Sequence, residues 1–222
     1  IHHYALVHVN AIFSLTNLPV YWAAQRHQVP YVVTPRGMLE PWALAYKQRK
    51  KKLYYHLLEK PALQKTKAIH ALAPQESDRL LPLQLTTPIA VIPNGIHQTE
   101  FEVLPDPVLF HQAFPGLEHK NIILFLGRID PKKGLDLLAP AFAQVLENFP
   151  TAHLVIAGPD NIGFLPTAQD FFQKAHCPNA VTFTGMLTGD LKKAALAAAQ
   201  VYVAPSYSEG FSISVLEGMV SG

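Results

Sequence analysis

Cysteine is nearly absent from this chain: Cys177 is the only one in 222 residues. A single thiol excludes an internal disulfide and a cysteine-based metal site, and it suits a reducing compartment. Long hydrophobic runs are missing too, since no stretch reaches the ~18 apolar residues that a membrane-crossing helix needs. Charge is sparse and balanced, with Lys plus Arg at 18, Asp plus Glu at 16 and a formal net charge of +2. That balance gives no footprint for nucleic acid. No glycine run ends in Gly-Lys-Ser or Gly-Lys-Thr, which excludes a P-loop, and no G-x-G-x-x-G follows a strand, which excludes a dinucleotide fingerprint. There is no Asp-x-Asp pair and no His, Cys and carboxylate set at metal-ligand spacing, so no metal or other cofactor is expected. Solenoid repeats and low-complexity tracts are absent as well.

What is present is an α/β pattern. Hydrophobic residues make up 49% of the chain, enough to bury a core. Short continuous apolar runs, as expected for parallel strands covered on both faces, alternate with helical periodicity. The runs predict strands at Ala5–Val9, Tyr31–Thr34, Ala68–Leu72, Ile89–Ile92, Ile122–Leu126, His153–Ala157, Val181–Thr184 and Val201–Ala204. Helices are expected near Ser14–His27, Ala43–Gln64, Gln75–Leu81, Leu135–Phe149, Thr167–His176, Gly189–Ala199 and Ser212–Met219. Leu104-Pro105-Asp106-Pro107 and Phe114-Pro115-Gly116 interrupt the periodicity. They predict a first domain over 1–104, a linker over 105–120 and a second domain over 121–222. The start at Ile1 and the stop at Gly222, just after a helix, read as a fragment of a longer chain with both domains truncated. An upstream signal or anchor is left open.

Two segments carry phosphate chemistry. Leu126-Gly127-Arg128-Ile129-Asp130-Pro131-Lys132-Lys133-Gly134 follows a strand and precedes a helix. Gly127 permits a tight turn, Arg128 offers a planar fork for phosphate oxygens, and Lys133 supplies a mobile point charge. The second segment, Ser206-Tyr207-Ser208-Glu209-Gly210-Phe211-Ser212, also runs from a strand into a helix, which carries Glu217. Ligands of parallel α/β sheets bind at the carboxyl ends of strands, and a helix start favours an anion. If the helix were continuous from Glu209 to Glu217, the two carboxylates would lie about 12 Å apart along its axis. Glycosidase pairs sit closer, at roughly 5–9.5 Å. The spacing therefore suits the two ends of an elongated ligand with phosphate between them.

These residues, together with Val91-Ile92-Pro93-Asn94-Gly95-Ile96 and Val155-Ile156-Ala157-Gly158-Pro159, resemble glycosyltransferase family 4. The resemblance covers nearly the whole chain. It implies the GT-B fold, two Rossmann-like domains facing a cleft, and transfer of a sugar from a nucleotide diphosphate donor with retention of configuration. It implies further that Arg128 and Lys133 hold the donor diphosphate, Glu209 the sugar hydroxyls and Glu217 the ribose. Gly127 and Ser212 would complete the donor site, with the amides of Gly210 and Phe211 facing sugar and phosphate. Arg128, Lys133 and Glu209 are the expected catalytic residues, and the departing charge would be met without a metal.

The first domain says less. Leu6-Val7-His8-Val9-Asn10 resembles a strand end where many family members place two histidines; here the second position is Asn10, a candidate for hydrogen bonding the sugar. His8 is read as a structural residue on the opposite face of that strand. Thr34-Pro35-Arg36-Gly37-Met38-Leu39 ends another strand, and Arg36 and Gly37 join Asn10 as acceptor-side candidates. The basic run Lys47-Gln48-Arg49-Lys50-Lys51-Lys52, next to Leu53-Tyr54-Tyr55, suits peripheral contact with an anionic membrane surface; a solvated helix face is the plainer reading. The expectation is a cytoplasmic enzyme of polysaccharide or cell-envelope biosynthesis, acting on a glycan, lipid-linked or small-molecule acceptor. A GT-B sugar-nucleotide epimerase and a non-catalytic nucleotide-sugar sensor are the alternatives.

Overall fold

The computed structural model describes residues 1, 3–41, 44 and 48–222. The chain divides into two compact units, Ile1–Gly95 with Glu209–Phe211, and Ile96–Ser208 with Ser212–Gly222. Each is built on a four-stranded sheet, and every pairing in both is parallel.

In the first unit, β1 (Val7–Asn10), β2 (Tyr31–Thr34), β3 (Ala68–Ala71) and β4 (Ile89–Val91) lie side by side in chain order. Its helices are α1 (Asn17–Arg26), α2 (Gln48–Tyr54), α3 (Lys60–Lys65) and α4 (Pro74–Leu80). One core cluster serves the unit: Val9, Tyr31, Val33 and Ile69 from the sheet meet Tyr21, Ala24, Tyr55, Leu63 and Leu80. The side chains that alternate with these, His8, Val32, Thr34 and His70, occupy the other face. Between α2 and α3, Tyr55–Glu59 forms a π turn in which the N–H of Lys60 donates to Tyr55 O. Pro61 explains the widening, because it has no N–H and its ring crowds the carbonyl one turn earlier. Of the predicted helix Ala43–Gln64, residues 43 and 45–47 lie outside the described residues.

The second unit adds β5 (Asn121–Leu126), β6 (Ala152–Ala157), β7 (Val181–Gly185) and β8 (Ala199–Tyr202) in the order β7-β6-β5-β8. Its helices are α5 (Val108–Ala113), α6 (Leu135–Asn148), α7 (Leu165–Lys174), α8 (Gly189–Ala198) and α9 (Ile213–Val220). Successive buried side chains of β5 and β6 alternate between two cores. Ile122, Leu124, Leu126, Val155 and Ala157 join the α8 alanines Ala194, Ala195 and Ala198 on one face. Phe125, Leu154 and Ile156 join Leu135, Leu138, Phe142 and Phe172 on the other. Helices on both faces make this a doubly wound sheet. Pro140 lies inside α6, where a proline costs about 3 kcal/mol; the buried Leu135, Leu138, Ala139 and Phe142 of the same helix outweigh it.

The predicted linker over 105–120 is corrected by the structure. The division between units falls at Gly95/Ile96, and α5 sits inside the predicted linker with Phe110 and Leu117 in the core beside Phe101. The prolines hid a short helix: Pro107 stands at its N-cap, and the Asp106 carboxylate accepts the Val108 N–H at 2.8 Å. The predicted strand Val201–Ala204 also shifts, to Ala199–Tyr202.

Candidate functional site

Reversal of strand order creates the site in the second unit. From β5 the chain adds β6 and then β7 on one side, and β8 returns to the other side of β5. Loops leaving β5 and β8 therefore diverge, and between them opens the crevice where doubly wound sheets take ligands. The segment 127–134 links β5 to α6 there, and the segment leaving β8 starts there, although its residues Glu209–Phe211 group with the first unit before Ser212 leads into α9.

Close backbone approaches shape the first loop. The Gly127 N–H donates to Ala157 O at 2.9 Å and the Ile129 N–H to Pro159 O at 2.9 Å, with Ile129 buried as an anchor. A Cβ on Gly158 would stand 1.8 Å from the Gly127 carbonyl oxygen, so no side chain fits there. Asp130 caps the 3-10 turn Pro131–Lys133 by accepting the Lys132 N–H at 2.9 Å. Gly134 then enters α6 at φ +69, and a Cβ there would meet the Pro205 carbonyl oxygen at 2.3 Å. Glycine satisfies both the left-handed backbone and the contact. Arg128 is exposed, and its Nη2 lies 3.4 Å from Asp130 Oδ2. The Lys133 side chain runs over Gly127, its Cε 3.6 Å from the point a Cβ would occupy.

The second loop packs against the first. The Tyr207 N–H donates to Lys132 O at 2.9 Å, and the Tyr207 hydroxyl bonds the Asp136 carboxylate. That bond to Asp136 pushes the Tyr207 phenol above its ordinary pKa. Ser208 is buried, with Glu209 following it. α9 opens at Ile213 with an extended Ser212 at its N-cap, one residue later than expected, so the amides without an intrahelical acceptor are those of Ile213, Ser214 and Val215. The separation of about 12 Å expected for a continuous helix therefore does not apply to Glu209 and Glu217, because residues 209–212 precede the helix. Gly218 seats α9 on the Tyr202 ring, 2.9 Å from where its Cβ would be. Glu217 Oε1 is held by Lys192 Nζ of α8 at 2.7 Å.

In the first unit the strand ends are joined by side chains. Arg36 donates through Nε and Nη2 to Asn10 Oδ1 at 3.2 and 2.8 Å, and through Nη1 to Asn94 Oδ1 at 2.9 Å. Its backbone is left-handed at φ +56, as is that of Gly37 at φ +70, a conformation that costs a side-chain-bearing residue about 1–2 kcal/mol. The buried Glu76 holds this turn from beneath, accepting the N–H of Gly37 at 2.6 Å and of Leu72 at 2.7 Å. Arg79 pairs with the buried Glu40 at 2.8 Å. The reading of His8 is corrected: two positions from Asn10, it shares that residue's face. His8 Nε2 bonds Thr34 Oγ1 at 2.6 Å, Thr34 Oγ1 bonds His70 Nδ1 at 2.9 Å, and His70 Nε2 reaches Ile92 O at 2.7 Å. Burial, then His70 and Arg36, push the His8 pKa down.

Residues 110–222 match the family described as Glycosyl transferases group 1, and residues 2–95 match a Glycosyl transferase 4-like domain. The chain belongs to the glycosyl transferases group 1 family. An uncharacterized glycosyltransferase of Methanocaldococcus jannaschii is 32% identical over 137 residues, covering 60% of this chain and 34% of that protein. An alpha-monoglucosyldiacylglycerol synthase of Streptococcus pneumoniae is 25% identical over 98% of this chain and 50% of its own length. Among solved structures, HepE of Anabaena, in complex with UDP and glucose, superposes with a TM-score of 0.80 at 18% identity, over 99% of this chain and 58% of that one. The chain thus spans between a third and somewhat over half of these proteins, and its fold is GT-B.

The second unit brings Gly127, Arg128, Lys133, Ser212 and Glu217 to one end of its sheet. Asn10, Arg36 and Gly37 share the corresponding end of the other. Nothing in the sequence pattern points to Lys192, whose link to Glu217 spans 25 positions, or to Glu76, whose place beneath Gly37 depends on β3 lying beside β2. Asn94 belongs to a motif that assigns it no role; in the structure it is a partner of Arg36. Among the described residues no group of three or more His, Cys, Asp or Glu could hold a metal ion.

Proposed function

We propose that the chain is the catalytic portion of a retaining, metal-independent glycosyltransferase. It moves a sugar from a nucleotide diphosphate donor to a glycan, lipid-linked or small-molecule acceptor in polysaccharide or cell-envelope biosynthesis. The observation that carries this reading is the crevice between β5 and β8, with its glycine-shaped loop, Arg128, Lys133 and the start of α9. HepE binds UDP and glucose, in line with a nucleotide sugar as donor. The streptococcal relative is a glucosyldiacylglycerol synthase, in line with a lipid-linked acceptor.

In this reading the bond between the sugar's anomeric carbon and the diphosphate oxygen breaks while the acceptor hydroxyl attacks from the same face. The acceptor's proton passes to an oxygen of the departing diphosphate. Arg128, Lys133 and the first amides of α9 stabilise the charge that develops there, fixed before reaction. Glu209 holds sugar hydroxyls, the amides of Gly210 and Phe211 face sugar and phosphate, and Glu217 accepts from the ribose with Lys192 holding its other oxygen.

A cytoplasmic location with peripheral membrane contact completes the reading. Of the basic run, Lys47 lies outside the described residues; Arg49, Lys50 and Lys52 are exposed on α2, and Leu53 and Leu57 beside them are 62% and 63% exposed. Cations flanking exposed leucines suit an anionic bilayer surface. Among the described residues no helix is long and apolar enough to cross a membrane. Sedimentation with liposomes should show binding that grows with anionic lipid; no such dependence removes the membrane from the proposal.

Calorimetric titration of the chain with UDP, GDP and ADP tests the donor. One nucleotide should bind, and Glu217→Ala should weaken it. Lys133→Ala should slow sugar release from the matching donor by ~100-fold, the scale for one preorganised contact in a transition state. Failure of all three nucleotides to bind would overturn the reading.

A further inference from the structure

We propose that Arg36, Asn10 and Asn94 form an anion site for a phosphate group carried by the acceptor. That the ligand is an acceptor rests on the glycosyltransferase reading; the anion site itself does not.

A guanidinium has five N–H donors. Three of Arg36's are spent on the side-chain oxygens of Asn10 and Asn94, both neutral amides. Its charge therefore meets no carboxylate among the described residues. Two other arginines of the chain show the contrast, Arg79 pairing with Glu40 and Arg128 with Asp130. Arg36 is exposed and stands at the carboxyl end of β2, between the ends of β1 and β4, where parallel sheets present their ligands.

The amides set the chemical class. Because both Asn oxygens accept from Arg36, both Asn nitrogens face away from it, and neither is hydrogen-bonded among the described residues. The unspent groups of the cluster are mainly donors: two N–H groups of the guanidinium and the NH2 groups of two amides, against one remaining lone pair on Asn94 Oδ1. A surface dominated by donors around a fixed positive charge favours a group rich in acceptors. A phosphate, with three acceptor oxygens and up to two negative charges, matches it better than a hydroxyl, which must also donate. The turn is built to hold this posture. Its left-handed Arg36 and Gly37 are pinned by the buried Glu76, so the guanidinium is positioned before any ligand arrives.

The test is calorimetric titration of the chain and its variants with glycerol 3-phosphate, glycerol and UDP. The chain should bind glycerol 3-phosphate about tenfold or more tightly than glycerol. Arg36→Gln should remove that preference while leaving UDP affinity within about twofold. Asn94→Asp keeps Arg36 and supplies it with a carboxylate, so it too should abolish the preference. Arg36→Lys, which keeps the charge without the fork, should fall between. Matching thermal unfolding establishes that each variant is folded. The proposal is overturned if the chain shows no preference for glycerol 3-phosphate, or if Arg36→Gln and Asn94→Asp both retain it. It is also overturned if Arg36→Gln weakens UDP as strongly, which would assign Arg36 to the donor diphosphate. If no nucleotide binds while the phosphate preference appears and vanishes as stated, the donor reading falls and the anion site stands.

Discussion

The two units share a four-stranded parallel sheet and differ in how they make a binding surface. In the second, the strand order β7-β6-β5-β8 reverses at β5, and the loops at the resulting crevice are fixed by close backbone approaches. Gly134 and Gly158 let chains approach where a Cβ would stand 2.3 and 1.8 Å from a carbonyl oxygen. In the first, the strands follow one another without reversal, so topology provides no crevice among the described strands. There the strand ends are joined by Asn10, Arg36 and Asn94, with Glu76 underneath. The loops of one unit depend on side chains being absent at two glycines, and the strand ends of the other on particular side chains being present. Substitutions should therefore separate the two.

The largest effect is expected where the backbone contact is tightest. Gly158→Ala would place a Cβ 1.8 Å from the Gly127 carbonyl oxygen, between the ends of two central strands that cannot part cheaply. We expect a loss of about 3 kcal/mol or more in chemical denaturation, together with loss of nucleotide binding. A variant as stable as the parent would mean that the loop is soft, and the contrast between the units would fail. Next comes Glu76→Gln, which keeps shape but turns one accepting oxygen into a donor facing a backbone N–H. The buried mismatch should cost about 1–3 kcal/mol and loosen the Arg36 turn, while UDP binding in the other unit is retained. Equal losses at both sites would show that the units do not act separately.

Legibility of the sequence divides along the same line. Strand and helix alternation is plain, and β2 appears at Tyr31–Thr34 as expected, because buried parallel strands are short apolar runs whose ends are marked by polar or breaking residues. The course of the loop from Gly127 to Gly134, out of β5 and into α6, is legible because glycines that let the chain turn mark both its ends. Three features escape a reading of the sequence. Pro105 and Pro107 look like a linker although Phe110 is a core residue; a helix of six residues is too short to show a period. The pattern puts the start of α9 too early, since Ser212 caps in an extended conformation without a side-chain bond. The pairings Arg36–Asn94, Gly37–Glu76 and Lys192–Glu217 join residues 58, 39 and 25 positions apart. Only strand order and helix packing bring them together, and one sequence does not display that order.

A smaller effect is expected from Lys192→Ala. Its ion pair with Glu217 is partly exposed, the two side chains being 27% and 16% accessible, so stability should fall by only about 1 kcal/mol. The carboxylate would lose the contact that fixes its rotamer, and UDP should bind severalfold more weakly. Unchanged affinity would leave Glu217 oriented by α9 alone. The Arg36 turn should not respond, which keeps the comparison clean.

The finest discrimination between the units lies in acid. His153 is buried in the second unit, bonded to Thr182 at 2.8 Å, and burial followed by Lys120 lowers its pKa from 6.5. A histidine whose folded pKa is depressed is protonated first in the unfolded chain. Its contribution is thus intact above about pH 6.5 and is lost as pH falls below that value towards the lowered folded one. His8 in the first unit shifts the same way, but that unit also holds Glu59, whose pKa burial raises from 4.5 despite the Phe13 N–H and the Tyr21 hydroxyl. A carboxylate with a raised folded pKa takes up its proton first in the folded state, so it adds stability as pH falls through that pKa. The two groups of the first unit therefore oppose each other on acidification, while His153 acts in the second without a raised carboxylate among the described residues. Hydrogen exchange followed from pH 7.5 to about pH 5 should show the second unit's strands losing protection earlier than the first's, and His153→Gln should flatten that slope. Equal loss in both units, or a slope untouched by the substitution, would assign the acid sensitivity to other groups.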